Sequence, residues 1–193
     1  MTMRTLPLLA GLITACSEAP DDGAELEPEP IALAFDVSED ASRFLFDGAP
    51  LHPDGMPHGG NEFVTSGYLY PRGFLAEHEG TLDDGRPAYP DEVVGSWTCR
   101  GTFLGEGAYE TGPALTTTQT YVLYDEPGFE PNKLSATTLV TEGFEMMVPD
   151  VHVTRAVTGG SGAHVGMKGE QRQVMTGLNA GQGVNLAVEI DLY

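Results

Sequence analysis

The chain reads as an all-β protein, an eight-stranded antiparallel up-and-down β-barrel, on three observations. No window sustains a 3.6-residue apolar period, so the sequence carries no amphipathic-helix signal. Period-two alternation recurs in eight segments instead. Clusters of Gly, Pro, Asp and Asn separate those segments, and short links between sequential strands favour pairing in chain order. Eight strands enclose a space that fits side chains or one small ligand. A two-sheet sandwich of the same strands is the alternative. No internal repeat is visible.

Before the first strand the sequence reads as an export signal and a tether. Arg4 supplies a positive n-region and Leu6 to Ile13 a short apolar run, too short to span a bilayer. Ile13-Thr14-Ala15-Cys16 resembles the lipobox of lipoprotein signal peptides, so residues 1–16 are expected to direct export and Cys16 to carry the lipid anchor. A plain secretory signal with an incidental cysteine is the alternative. Ser17, rather than Asp, after the cysteine points to the outer membrane of a Gram-negative cell. Residues 17–30 hold six acids, three prolines and no base, the composition of an extended acidic tether. In a polyproline-like state they reach roughly 40 Å. Losing Arg4 with the signal takes the formal net charge from −20 to −21. A surface this acidic repels phosphate backbones, so nucleic acid is not an expected partner. Residues 31–193 form one domain, in which Cys99 is the one cysteine and has no intrachain partner for a disulfide.

The strands are expected at 31–37, 62–70, 92–104, 115–124, 134–145, 151–158, 167–177 and 183–193. Turn chemistry lies between them at Pro53-Asp54-Gly55, Asp83-Asp84-Gly85, Glu126-Pro127-Gly128, Pro149-Asp150 and Asn179-Ala180-Gly181. The third strand puts Val93, Gly95, Trp97, Cys99, Gly101 and Phe103 on one face, and that apolar face is expected to look inward. Gly95 and Gly101 bracket Trp97; they either leave room for a ligand or simply allow the strand to coil. In the sixth strand Arg155 shares parity with Val151, Val153 and Val157. In the fifth Glu142 shares parity with Ala136, Val140 and Phe144. A charge inside a barrel is costly unless paired, so an Arg155–Glu142 contact is expected as a buried ion pair or ligand clamp. The alternative turns those faces outward, to an oligomer interface or to solvent.

Between the sixth and seventh strands, residues 156–170 read Ala-Val-Thr-Gly-Gly-Ser-Gly-Ala-His-Val-Gly-Met-Lys-Gly-Glu. Five glycines in fifteen residues suit a strand that ends, turns with positive φ and re-enters a strongly bent sheet. A phosphate-binding loop would need a helix to follow, and the strand-like Gln171–Gly177 follows instead. This pattern resembles the segment that marks the allene oxide cyclase and dirigent barrel family. The resemblance extends over residues 61–70, ending Tyr68-Leu69-Tyr70, over Val94–Cys99, and over the closing strand 184–192.

The resemblance implies a barrel that handles a small apolar, lipid- or polyketide-like molecule by cofactor-free, isomerase-type cyclisation. It also implies a homotrimer. A non-enzymatic carrier of a small hydrophobic ligand is the competing expectation. Where plant cyclases carry a Glu-x-Asn arrangement, this chain has Asp36-Val37-Ser38, so Asp36 and Ser38 inherit the expected catalytic place. Asp36 is shorter than the family's glutamate by one methylene. A solvated strand end at Asp36–Asp40 is the plainer alternative. Cys99 matches a pocket cysteine of plant cyclases, although a buried free cysteine is also simply a small hydrophobe. Trp97 and Phe103 would shape the same pocket. The five histidines make no metal-binding pattern, and no G-x-S-x-G, H-E-x-x-H or C-x-x-C occurs.

Overall fold

The computed structural model describes residues 30–47, 51–53, 57–104 and 113–193. The signal, lipid-anchor and tether expectations at 1–29 lie outside the described residues, apart from Pro30.

Eight strands follow in chain order: β1 Ile31–Phe46, β2 Glu62–Pro71, β3 Gly95–Phe103, β4 Ala114–Leu123, β5 Thr137–Met146, β6 His152–Ser161, β7 Gly169–Leu178 and β8 Val184–Leu192. Each pairs antiparallel with the next, and β8 pairs with β1 to close the barrel. Closure removes the sheet edges that a two-sheet sandwich would leave. Among the described residues, three single-turn 3-10 helices interrupt the loops, at Phe74–Ala76, Pro90–Glu92 and Gly162–His164.

Strand alternation sorts the inside from the outside. Phe35, Val37, Trp97, Cys99, Tyr121, Leu139, Val188 and Ile190 belong to one buried cluster. Phe35 lies opposite Val188 in the β1–β8 ladder, and its ring meets Tyr121 with centroids 5.1 Å apart. That packing fills the half of the barrel nearest the start of β1.

The first strand is longer than the sequence reading allowed. It runs on through Ser38, Glu39 and Asp40, which were expected to close it. Ser38 and Asp40 are buried because the long β2–β3 connection folds back over the outside of β1 and β2, and Glu39 is buried because it faces the barrel interior. Tyr70 donates its hydroxyl to the Gly80 carbonyl at 2.6 Å, and Tyr68 to that of Gly85 at 2.8 Å. Thr81 donates to Ser38 Oγ at 2.8 Å. A Cβ at Gly80 would come within 2.4 Å of Ser38 Oγ, so only glycine lets the connection lie this close. Tyr68, Tyr70 and Val93 form a second small core under that cover.

The glycine segment behaves in two parts. Gly159 and Gly160 lie inside β6, and the ladder to β5 slips by one residue beside them. Gly162 and Gly166 take φ of +60° and +76°, so the turn itself uses the left-handed region. A Cβ on Gly160 would approach the His164 carbonyl to 2.8 Å, which explains a glycine where φ is not positive.

Candidate functional site in the barrel mouth

The barrel interior divides into a polar belt and an open apolar mouth. The belt is built from inward-facing residues of β4, β5, β6 and β7. Arg155 is buried; its Nη1 donates to Thr117 Oγ1 at 2.6 Å and its Nη2 to the Thr117 carbonyl at 2.8 Å. The same guanidinium lies 3.6 Å from Glu145 Oε2. Glu145 also accepts hydrogen bonds from Thr117 Oγ1 at 2.8 Å, Gln119 Nε2 at 3.2 Å and Gln173 Nε2 at 2.5 Å. Gln171 bridges Gln119 and Gln173, and the Tyr121 hydroxyl donates to Gln119 Oε1. A buried charge held this way is compensated on every side.

Next to the belt lies a void of about 20 Å³ bounded by Glu39, Thr65, Trp97, Cys99 and Glu145, among others. That is room for a water, not for a ligand. The Trp97 Nε1–H has no acceptor among the described residues. Space for a larger molecule opens above, at the end where β1 finishes and β8 begins. There a cavity of about 610 Å³ is walled by Phe44, Phe46, Phe103, Met147, Met175 and Leu178, among others. Glu39, Phe44, Met147 and Val184 line both spaces and form the neck between them. Phe44 stacks on Phe63 at 5.1 Å, and Phe46 tilts against Phe103 at 5.9 Å, so one part of the wall is aromatic and much of the rest is Met, Leu, Val and Pro.

Glu39 is the one ionisable side chain among the described residues that line this mouth. Its residue exposure is 3 %. Oε1 accepts from the Thr65 hydroxyl at 2.7 Å and Oε2 from the Val184 backbone N–H at 2.8 Å. No lysine, arginine or histidine pairs with it among the described residues. Burial pushes its pKa up, the hydrogen bonds from Thr65 and Val184 oppose that, and the negative charges of Glu145 and Asp40 add to the rise. Burial likewise lifts the Cys99 thiol well above its usual range, with Glu145 contributing, so Cys99 stays protonated and unreactive.

The site residues read from the sequence fall into three groups. Trp97, Cys99 and Phe103 face the interior, Phe103 at the mouth and the other two beneath it. Arg155 also faces inward, but Glu142 does not meet it. Glu142 is exposed on the outer face, beside Arg100 and Thr118, and Glu145 takes its expected place because Leu139, Thr141, Gly143 and Glu145 hold the inward parity of β5. Asp36 and Ser38 lie on the outside of β1, away from the lumen. Asp36 accepts from Arg72 Nη1 and from the Leu75 N–H, each at 3.0 Å. Ser38 is held by Thr81 and by Asn179 Nδ2 at 3.0 Å.

Glu39 and Glu145 escaped the sequence reading. For Glu39 a signal existed: it continues the inward parity of Phe35 and Val37, had the strand been carried past residue 37. The belt glutamines had no such signal, because a polar residue at an inward position reads as a change of face.

The likeness to solved structures falls on this barrel. One pterocarpan synthase dirigent protein superposes with a TM-score of 0.59 at 16% identity, over 86% of this chain and 96% of the other. A second pterocarpan synthase dirigent protein gives 0.55 at 14%, over 85% and 84%. A pyocyanin demethylase gives 0.52 at 16%, over 84% of this chain and 100% of its own. No family profile matches the sequence. No curated protein matches it either. The protein has the allene oxide cyclase and dirigent type of barrel fold.

Proposed function

We propose that the barrel mouth takes up a small apolar molecule and directs its cofactor-free, isomerase-type cyclisation. The supporting observation is the largely apolar cavity of about 610 Å³ that narrows onto the single carboxyl of Glu39 among its described lining residues. A contoured apolar wall restricts a flexible substrate to few conformers, which lowers the entropic part of the barrier. A carboxylate already fixed by Thr65 and Val184 stabilises positive charge as it develops, without reorganising. Glu39 replaces Asp36 in this role, since Asp36 is committed to Arg72 and Leu75 outside the barrel. Trp97 and Cys99 shape the bottom of the site.

A non-enzymatic carrier is the second reading, favoured by the presence of only one ionisable group on the described wall. Incubating the protein with a panel of epoxy fatty acids, their neutral esters and polyenes, and measuring product chirality, separates the two. Enantioenriched product above the background rate, lost in Glu39→Gln, supports the cyclase. Racemic product at the background rate alongside tight binding supports the carrier.

The same proposal includes export as an outer-membrane lipoprotein anchored through Cys16, supported by the sequence pattern at residues 13–16. Cys16→Ala should abolish acyl labelling and release the protein from membranes. Unchanged fractionation and labelling count against the anchor. Self-association through outer strand faces, where Phe144 and Val64 are exposed, belongs to the proposal as well, with a trimer expected by light scattering.

A further inference from the structure

The mouth cavity holds a chemical asymmetry. A buried acid is costly unless it is neutralised or matched by a cation. Glu145 is matched by Arg155, and Asp36 by Arg72. Glu39 is as buried as Asp36, at 3 % exposure each, yet has no cationic partner among the described residues. Both of its oxygens already accept a hydrogen bond, from Thr65 Oγ1 and the Val184 N–H. This is the pattern of an acceptor, and each carboxylate oxygen retains a further lone pair for a donor. The charges of Glu145 and Asp40, each paired with an arginine of its own (Arg155 and Arg43), also act on it, and both disfavour its ionisation. The described wall above it contains no lysine or arginine, and three phenylalanines, Phe44, Phe46 and Phe103, face the same space. Aromatic faces attract cations, and aromatic rings stack on flat bodies.

We propose that the missing counter-ion of Glu39 arrives with the ligand: the mouth selects a small aromatic molecule bearing a protonated nitrogen and rejects carboxylates. This selectivity rests on the reading of the mouth as the binding site given under "Proposed function". It narrows that reading by charge and shape. The ligand's ring lies among Phe44, Phe46 and Phe103, and its ammonium donates to Glu39 at the neck. A fatty-acid carboxylate would place a second negative charge against Glu39 in a space without a compensating base.

Three probes with one body and different heads test this: 1-naphthylmethylamine, 1-naphthalenemethanol and 1-naphthoate. Each is titrated calorimetrically into the purified full chain at neutral pH. The amine should bind tightest, the alcohol next, and the carboxylate at least about tenfold more weakly than the amine. Glu39→Gln should collapse the difference between amine and alcohol while its melting curve shows it folded. Ala41→Lys, at the cavity wall, provides a second variant independent of Glu39 and should shift preference towards the carboxylate. Equal or tighter binding of 1-naphthoate by the unmodified protein overturns the selectivity while leaving the mouth as the binding site. An unchanged order of affinities in both variants also overturns it. Absence of binding by all three probes overturns the mouth as a site, and the proposed function with it.

Discussion

Asp36 and Glu39 stand on the same strand, three positions apart, and face opposite ways. Both are buried acids, yet their surroundings differ in kind. On the outer face Asp36 is matched by Arg72 and capped by the Leu75 N–H, so it pins the β2–β3 connection to the barrel wall. On the inner face Glu39 is oriented by two uncharged donors and left without a cation at the neck of an open cavity. Burial by itself therefore does not mark a functional acid. Under the proposed function the unmatched charge beside accessible space does, because its stabilisation is incomplete in the free protein.

The polar belt sharpens that contrast most strongly. Glu145 is a buried acid of the matched kind, and removing its cation should be severe. Arg155→Met is expected to cost about 3–5 kcal/mol in equilibrium unfolding by urea, since it strands Glu145 in the lumen. A loss below 1 kcal/mol, on the order of an exposed substitution, would mean that Thr117, Gln119 and Gln173 suffice to hold the carboxylate. Next in size is Asp36→Ala, which frees the Leu75 N–H and Arg72. A loss of about 1.5–3 kcal/mol is expected for charge-assisted hydrogen bonds, with ligand affinity unchanged. Impaired binding in that variant would return Asp36 to the functional site.

The smallest stability effect is expected at Glu39, where it takes the form of a pH dependence. Its pKa is raised in the folded state, so the folded protein holds this proton to higher pH than the unfolded chain. Stability from this group is present below the unfolded value near 4.5 and declines as pH rises through the folded value. Glu39→Gln cannot ionise, so its thermal midpoint relative to the unmodified protein should rise between about pH 4.5 and neutrality. A difference constant with pH would mean that burial leaves this carboxyl unshifted, and one of opposite slope that its hydrogen bonds outweigh burial.

Most strand positions were readable because each leaves a local imprint. Trp97 and Cys99 alternate with Ser96 and Thr98, and that period places them inside however the barrel closes. The failures are equally local in cause. Ser38, Glu39 and Asp40 look like a strand end because polar residues in sequence carry no mark of a partner brought from Thr81, Asn179, Thr65 or Val184. Parity along the sequence points to Glu142 because Val140 and Phe144 share its face. In the barrel those two residues lie on the outer face, with Phe144 exposed, and the inward side carries Thr141 and Glu145 instead.

By itself, then, the sequence determined the class of fold, the order of the strands and the turn at Gly162 to Gly166, all of which depend on neighbours a few residues away. It also set the charge balance that disfavours polyanionic partners. Only the tertiary structure decided which acids are matched. The contact between Arg155 and Glu145, the placing of the 72–94 connection over Asp36 and Ser38, and the exposure of Glu39 to the mouth all join residues distant along the chain. Electrostatic energy depends on distance and burial in space, and alternation along a strand reports only which side a residue faces.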